Sequence, residues 1–192
     1  MKRREALKHI GLTAGFVIAT PSLISLLQSC TTNSETWVPQ FFSEEQGIVI
    51  KNIVDVILPK TDTPSATEVN VPEFMDTYIN EIMDIKDQDR IKVAFDGLIT
   101  LIKTDYNDNL SKVTEDNYKH LLDNYMLLDQ PPTPETEPMT TSGLLNQFKW
   151  MSINAYKISE TVGETVLAYD PVPGSYFCGD LNELTGGRSW SL

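Results

Sequence analysis

"FSEEQGIVIKNIVDVILP", Phe42 to Pro59, decides the fold class. Ser43 and Gln46 stand three residues apart, the spacing of a reciprocal N-terminal cap in which each side chain meets the other's backbone N–H. Val49, Ile50, Ile53, Val54 and Ile57 then recur at the spacing of one helical face, and Pro59 stops the run.

The pattern continues outward from this helix. "KTDTPSATEVNVP" is a loop rich in Thr, Asp and Pro. A second helix opens at Pro72, a position in the first turn that proline tolerates, with Phe74, Met75, Tyr78, Ile79 and Ile82 expected inward. Asp87 is the expected cap of a third helix running to Tyr106, with Ile91, Val93, Phe95, Leu98, Leu101 and Ile102 as its apolar set. Thr114 starts a fourth, carrying Tyr118, Leu121, Leu122, Tyr125 and Leu128. "DQPPTPETEPMT" is too rich in proline for regular structure and makes a surface connector. A long helix is predicted from about Ser142 to Ala168, and after Tyr169 the chain turns irregular. No stretch alternates like a strand between hairpin turns. The expected architecture is all-α, a small domain of about five helices with an irregular C-terminal arm.

Ahead of this domain the sequence has the layout of an export signal. Lys2, Arg3, Arg4 and Lys8 form a basic start, and an apolar run from Ile10 to Leu27 follows. Gly11, Gly15 and Pro21 weaken that run as a permanent spanning helix. Arg3 and Arg4, with Leu7 and Lys8, match a twin-arginine signal, the route of proteins that fold before export. Ala6 stands where that motif usually has an aromatic residue, so ordinary secretion is the alternative. The run ends Leu27-Gln28-Ser29-Cys30, similar to a lipoprotein cleavage box with Gln28 as its atypical member. Lipidation of Cys30 is expected, and several acyl chains would tether the protein firmly, at about 0.8 kcal/mol per buried CH₂. The resulting division is a signal peptide over 1–29, a polar lipidated tether over 30–36 and a domain over 37–192.

Charge narrows the partners. Removing residues 1–29 takes away four basic residues and one acid, which moves the net charge from −12 to −15. Nucleic acid and an anionic bilayer surface both reward Lys and Arg, so neither suits this chain. With Cys30 lipidated, Cys178 is the one cysteine left, which excludes an internal disulfide network.

Catalytic constellations are missing from the sequence. It has no GxGxxG after a strand, no P-loop, no haem-attachment CxxCH and no cysteine set for an iron–sulfur cluster. His120 stands alone on an amphipathic helix and is read as structural or solvated. Asp84, Asp87 and Asp89 lack the glycine and terminal glutamate of a calcium loop, so capping is the better reading. Ser43 and Ser175 have no evident base or orienting acid. With none of these constellations, the domain is read as doing no chemistry of its own.

Two further stretches are too idiosyncratic for packing alone. They are "VILPKTDTPSATEVNVPEFMD", Val56 to Asp76, and the tail "AYDPVPGSYFCGDL" with "GGRSW", Ala168 to Trp190. Together with "WVPQFFSEEQ" at Trp37, they resemble the gluconate 2-dehydrogenase subunit 3 family, the small subunits of membrane-associated flavoprotein sugar and polyol dehydrogenases. The resemblance covers nearly the whole mature chain, and its most specific parts are Pro59 to Pro64 and Pro171 to Tyr176. It implies a large subunit of the glucose–methanol–choline type that binds FAD and has no export signal of its own. The small subunit would bind it in the cytoplasm, and the folded pair would cross together. A cytochrome c subunit with haem c is a further partner in many such complexes.

As an adaptor, this chain would be non-catalytic by itself. Its expected partner contacts are Pro59, Thr61, Asp62, Thr63, Pro64 and Pro72, with Pro173, Gly174, Tyr176 and Trp190 in the tail, since loops and aromatic anchors often make such contacts. A rigid connector is the alternative for the loop, and an arm folded back on its own bundle is the alternative for the tail. The alternative for the whole chain is a free-standing lipoprotein that binds saccharides on Trp37, Trp150 or Trp190.

Overall fold

The computed structural model describes residues 37–126, 137–170, 174 and 178–191. The expected export signal with Arg3 and Arg4, and the expected tether from Cys30, lie outside the described residues. The chain divides after Trp37, and the elements below belong to the unit Val38–Leu192.

That unit is helical, as expected, with no strand among the described residues. Its long helices are α1 (Glu44–Ile57), α2 (Val71–Glu81), α3 (Ile85–Asp105), α4 (Glu115–Tyr125) and α5 (Thr141–Ile158), and a short α6 (Leu181–Thr185) lies in the C-terminal arm. Helix α1 packs against all four other long helices and is the axis of the bundle. Its apolar face, Val49, Ile50, Ile53 and Val54, is fully buried. The predicted cap is present: Ser43 Oγ accepts from Gln46 N at 3.2 Å, and Gln46 Oε1 accepts from Ser43 N at 3.0 Å. Gln46 also donates from Nε2 to Asp96 Oδ1 at 2.9 Å, which ties the start of α1 to α3.

The segment entering α1 is fixed by one carboxylate from α2. Asp76 is 1% exposed and accepts three backbone N–H groups, from Gln40 at 2.7 Å, Phe41 at 3.0 Å and Phe42 at 2.9 Å. This delivers the Phe42 ring into the core, where it meets Phe95 of α3 at 5.5 Å and Phe148 of α5 at 6.3 Å. Phe95 and Phe148 lie 5.1 Å apart, and all three contacts are edge-to-face, the favoured geometry for aromatic quadrupoles.

Several expectations are corrected. Phe74, Tyr78 and Ile82 point outward, at 43%, 40% and 68% exposure, because Val71, Met75, Asp76 and Ile79 already fill the buried face of α2. Val93 is likewise exposed. Helix α3 begins at Ile85 behind Asp84, ahead of Asp87. Gln88 is the residue that closes the corner, donating to the carbonyls of Ile79, Asn80 and Met83 at 2.9–3.1 Å and so satisfying the end of α2. The loop before α2 contains a 3₁₀ turn, Thr67–Val69.

The long last helix is also interrupted. Ser159 leaves the helical region at ψ 140°, and its Oγ donates to Tyr156 O at 2.7 Å, a local bond that competes with the helical ladder. A π-helical turn, Val162–Val166, follows. Ala168 then pairs with the returning arm, donating to Ser189 O at 2.8 Å and accepting from Ser191 N at 3.0 Å. Leu128 and most of the proline-rich connector lie outside the described residues.

Three substitutions test this packing. Asp76→Ala is expected to lower the unfolding free energy by about 2–4 kcal/mol, since three N–H groups lose their acceptor. Asp76→Asn should cost less, because its amide oxygen still accepts. Urea denaturation measures both, and an unchanged midpoint for Asp76→Ala would show that Phe42 packing alone holds the entry segment. Tyr118 of α4 is fully buried, its hydroxyl finds no partner among the described residues, and burial pushes its phenol up to about 12. The unfolded phenol ionises near 10, so raising the pH from 10 towards 12 favours the unfolded chain, by up to about 2–3 kcal/mol. Tyr118→Phe should match or exceed wild-type stability at neutral pH and lack this part of the alkaline loss, as paired denaturation curves at both ends of that window would show.

Candidate functional site

The loop from Pro59 to Asn70 is held from beneath. At the C-terminal end of α1, Asp55 accepts from Thr67 N at 2.9 Å and from Thr67 Oγ1 at 2.6 Å. Ala66, fully buried, donates to Leu58 O at 3.0 Å and accepts from Val71 N at 3.0 Å. Tyr156 of α5 reaches across 92 residues of sequence to donate from its hydroxyl to Pro64 O at 2.7 Å. Asn70 takes the left-handed conformation, φ 58°, which turns the chain into α2.

What remains outside is a knuckle. Pro59, Lys60, Thr61 and Asp62 are exposed, and Thr63 and Pro64 are half-buried. Thr61 N donates to Thr63 O at 3.0 Å, closing the tip. Lys60 pairs with Glu68, and Ser65 N donates to the other oxygen of Glu68 at 3.0 Å. The Lys60 ammonium, with the Ser65 N–H, holds the Glu68 carboxyl below the usual carboxylate range. Pro72, by contrast, is buried in the first turn of α2, where its role is to start the helix.

The arm is more open. Gly174 is exposed, and Trp190 keeps 36% of its surface next to the Ala168 pairing. Leu181 and Leu184 of α6 are exposed, as is Cys178. Pro173 and Tyr176 lie outside the described residues.

Residues bearing possible chemistry are dispersed. His120 is exposed on α4, and the Ser43 hydroxyl is engaged as a helix cap. Asp87 pairs with Arg90 at 3.3 Å. Among the described residues no three His, Cys, Asp or Glu side chains gather as a metal site. An open cleft of about 540 Å³ lies between α1, α4 and α5, with Val56, Leu122, Met126 and Ile153 among its apolar lining and Lys119, Asp123 and Lys149 as its polar members. Neither a glycine nor a helix N-terminus lines it.

Sequence reasoning missed the outer face of α2. Phe74 and Tyr78 stack there with ring centroids 6.1 Å apart and planes at 19°, and Ile82 and Ile85 follow at the corner into α3. The signal was present, since α2 carries two apolar stripes, Val71–Met75–Ile79 and Phe74–Tyr78–Ile82, and a helix on the outside of a bundle buries one.

Removing the support of the knuckle should loosen it without unfolding the domain. Tyr156→Phe is expected to cost about 0.5–1.5 kcal/mol, the net worth of one hydrogen bond. Hydrogen exchange should speed up selectively at the amides of Thr61, Ala66 and Val71. Unchanged exchange there would mean that Asp55 holds the loop unaided.

Comparison with known proteins adds one finding. No curated protein and no solved structure matches the chain significantly. A family model described as gluconate 2-dehydrogenase subunit 3 matches residues 44–174, from the first residue of α1, through the knuckle, to the start of the arm. The chain therefore belongs to the gluconate 2-dehydrogenase subunit 3 family, a family of dehydrogenase-complex subunits.

Proposed function

We propose that this chain is the non-catalytic small subunit of a periplasm-facing, FAD-dependent dehydrogenase that oxidises a sugar, sugar acid or polyol. The observation that carries the reading is the subunit-family match over residues 44–174. The large subunit, of the glucose–methanol–choline type, binds the FAD and performs the oxidation. A cytochrome c subunit carrying haem c is a further candidate partner for passing electrons on.

The small subunit has three tasks in this reading. It supplies the Arg3–Arg4 export signal, and the large subunit crosses the membrane with it after folding around FAD. It stabilises the large subunit by covering part of its surface. Its lipid on Cys30 then holds the complex at the membrane. The rigid knuckle supports a contact role, because a loop held by Asp55 and Tyr156 loses little conformational freedom on docking. A saccharide-binding lipoprotein is less well supported: Trp150 is 60% exposed, but the Lys149 ammonium already sits 5.1 Å from its ring centroid.

Deleting this chain should leave the flavoprotein in the cytoplasm or degraded, as cell fractionation and dehydrogenase assays would show. An exported, fully active flavoprotein in the deletion strain would overturn the proposal.

A further inference from the structure

The outer face of α2 is more apolar than a solvent-facing helix needs to be. Phe74, Tyr78 and Ile82 are 43%, 40% and 68% exposed and follow one another over about two helical turns, and Ile85, 76% exposed, stands beyond the corner at the start of α3. Val71, Met75 and Ile79 of the same helix are fully buried and fill its bundle side. The near-parallel stack of Phe74 on Tyr78 makes a flat, pre-ordered platform. Large aromatic anchors of this kind dominate binding energy at protein interfaces.

The surroundings of the platform select its occupant. From Val71 to Asp84 the chain has no Lys or Arg, its exposed Glu81 and Asp84 flank Ile82 in sequence, and the first basic residue is the exposed Lys86. A second copy of this chain would bring the same acidic rim against itself across a two-fold axis, which is repulsive. An anionic bilayer is disfavoured by the same carboxylates. The complement is a protein surface with an apolar socket and a basic rim.

We propose that the Phe74–Tyr78–Ile82 face of α2 is the docking surface for the catalytic large subunit, which presents an apolar socket ringed by Lys or Arg. This assignment rests on the complex proposed above. Contact there would bury the stripe and pair Glu81 and Asp84 with the basic rim.

The test is co-expression of the full-length tagged chain with the FAD-containing large subunit, reading flavin absorbance per mole of purified chain. Wild type and Trp150→Ala, an exposed aromatic on another helix, should both retain the flavoprotein. Phe74→Ser/Tyr78→Ser should lower its affinity about thirtyfold or more, while the chain alone still unfolds in one cooperative thermal transition. Glu81→Lys/Asp84→Lys should weaken binding and flatten its salt dependence. Full retention by Phe74→Ser/Tyr78→Ser would overturn the assignment of this face while leaving the complex intact. Absence of flavoprotein from the wild-type preparation would overturn the complex itself. Sedimentation of the chain alone as a dimer that Phe74→Ser/Tyr78→Ser splits, or its flotation on vesicles through the same residues, would reassign the face to a second copy or to lipid.

Discussion

Asp76 is the constraint on which the rest of the structure depends. Its carboxylate takes the three N–H groups that precede α1, so it decides where the chain enters the bundle and places Phe42 against Phe95 and Phe148. It also fixes the rotation of α2. With Asp76 turned inward to meet the entry segment, the 3.6-residue period leaves Phe74 and Tyr78 on the outer flank. A single buried acid thus links the aromatic core to the exposed platform, and the platform is a by-product of how the fold is closed.

How far the sequence discloses all this depends on the range of the interaction. Local devices were legible: the Ser43–Gln46 cap, the start of α4 at Thr114 and the stop at Pro59 each involve residues within four of one another. Long-range devices were not. Asp76 on an amphipathic helix has the pattern of a solvated acid, and its partners lie 34–36 residues away. The same applies to Tyr156, whose acceptor is 92 residues distant. The direction of Phe74 and Tyr78 was misjudged because hydropathy cannot rank two adjacent apolar stripes. The break at Ser159 carries no proline, and a serine hydroxyl bonding its own helix leaves little trace in periodicity.

The family match runs from Glu44 to Gly174, yet the described fold extends beyond it at both ends. The entry segment Gln40–Phe42 lies outside the matched range and is held by Asp76, which lies within it. The arm with α6 is also outside and returns to Ala168, again within it. Both terminal extensions are thus fastened to the family core by hydrogen bonds to single residues, one to a side chain and one to a backbone. The knuckle differs, since every group that supports it lies inside the matched range.

The Asp76 clamp also has a mechanical meaning. If Cys30 carries a lipid, as proposed above, a pull on that tether enters the described domain through residues 38–42. The bonds that would meet it there are the three from Gln40, Phe41 and Phe42 to the Asp76 carboxylate, backed by the wedged Phe42 ring. Because they join the entry segment to α2, such a load would pass to α2 as well as to α1.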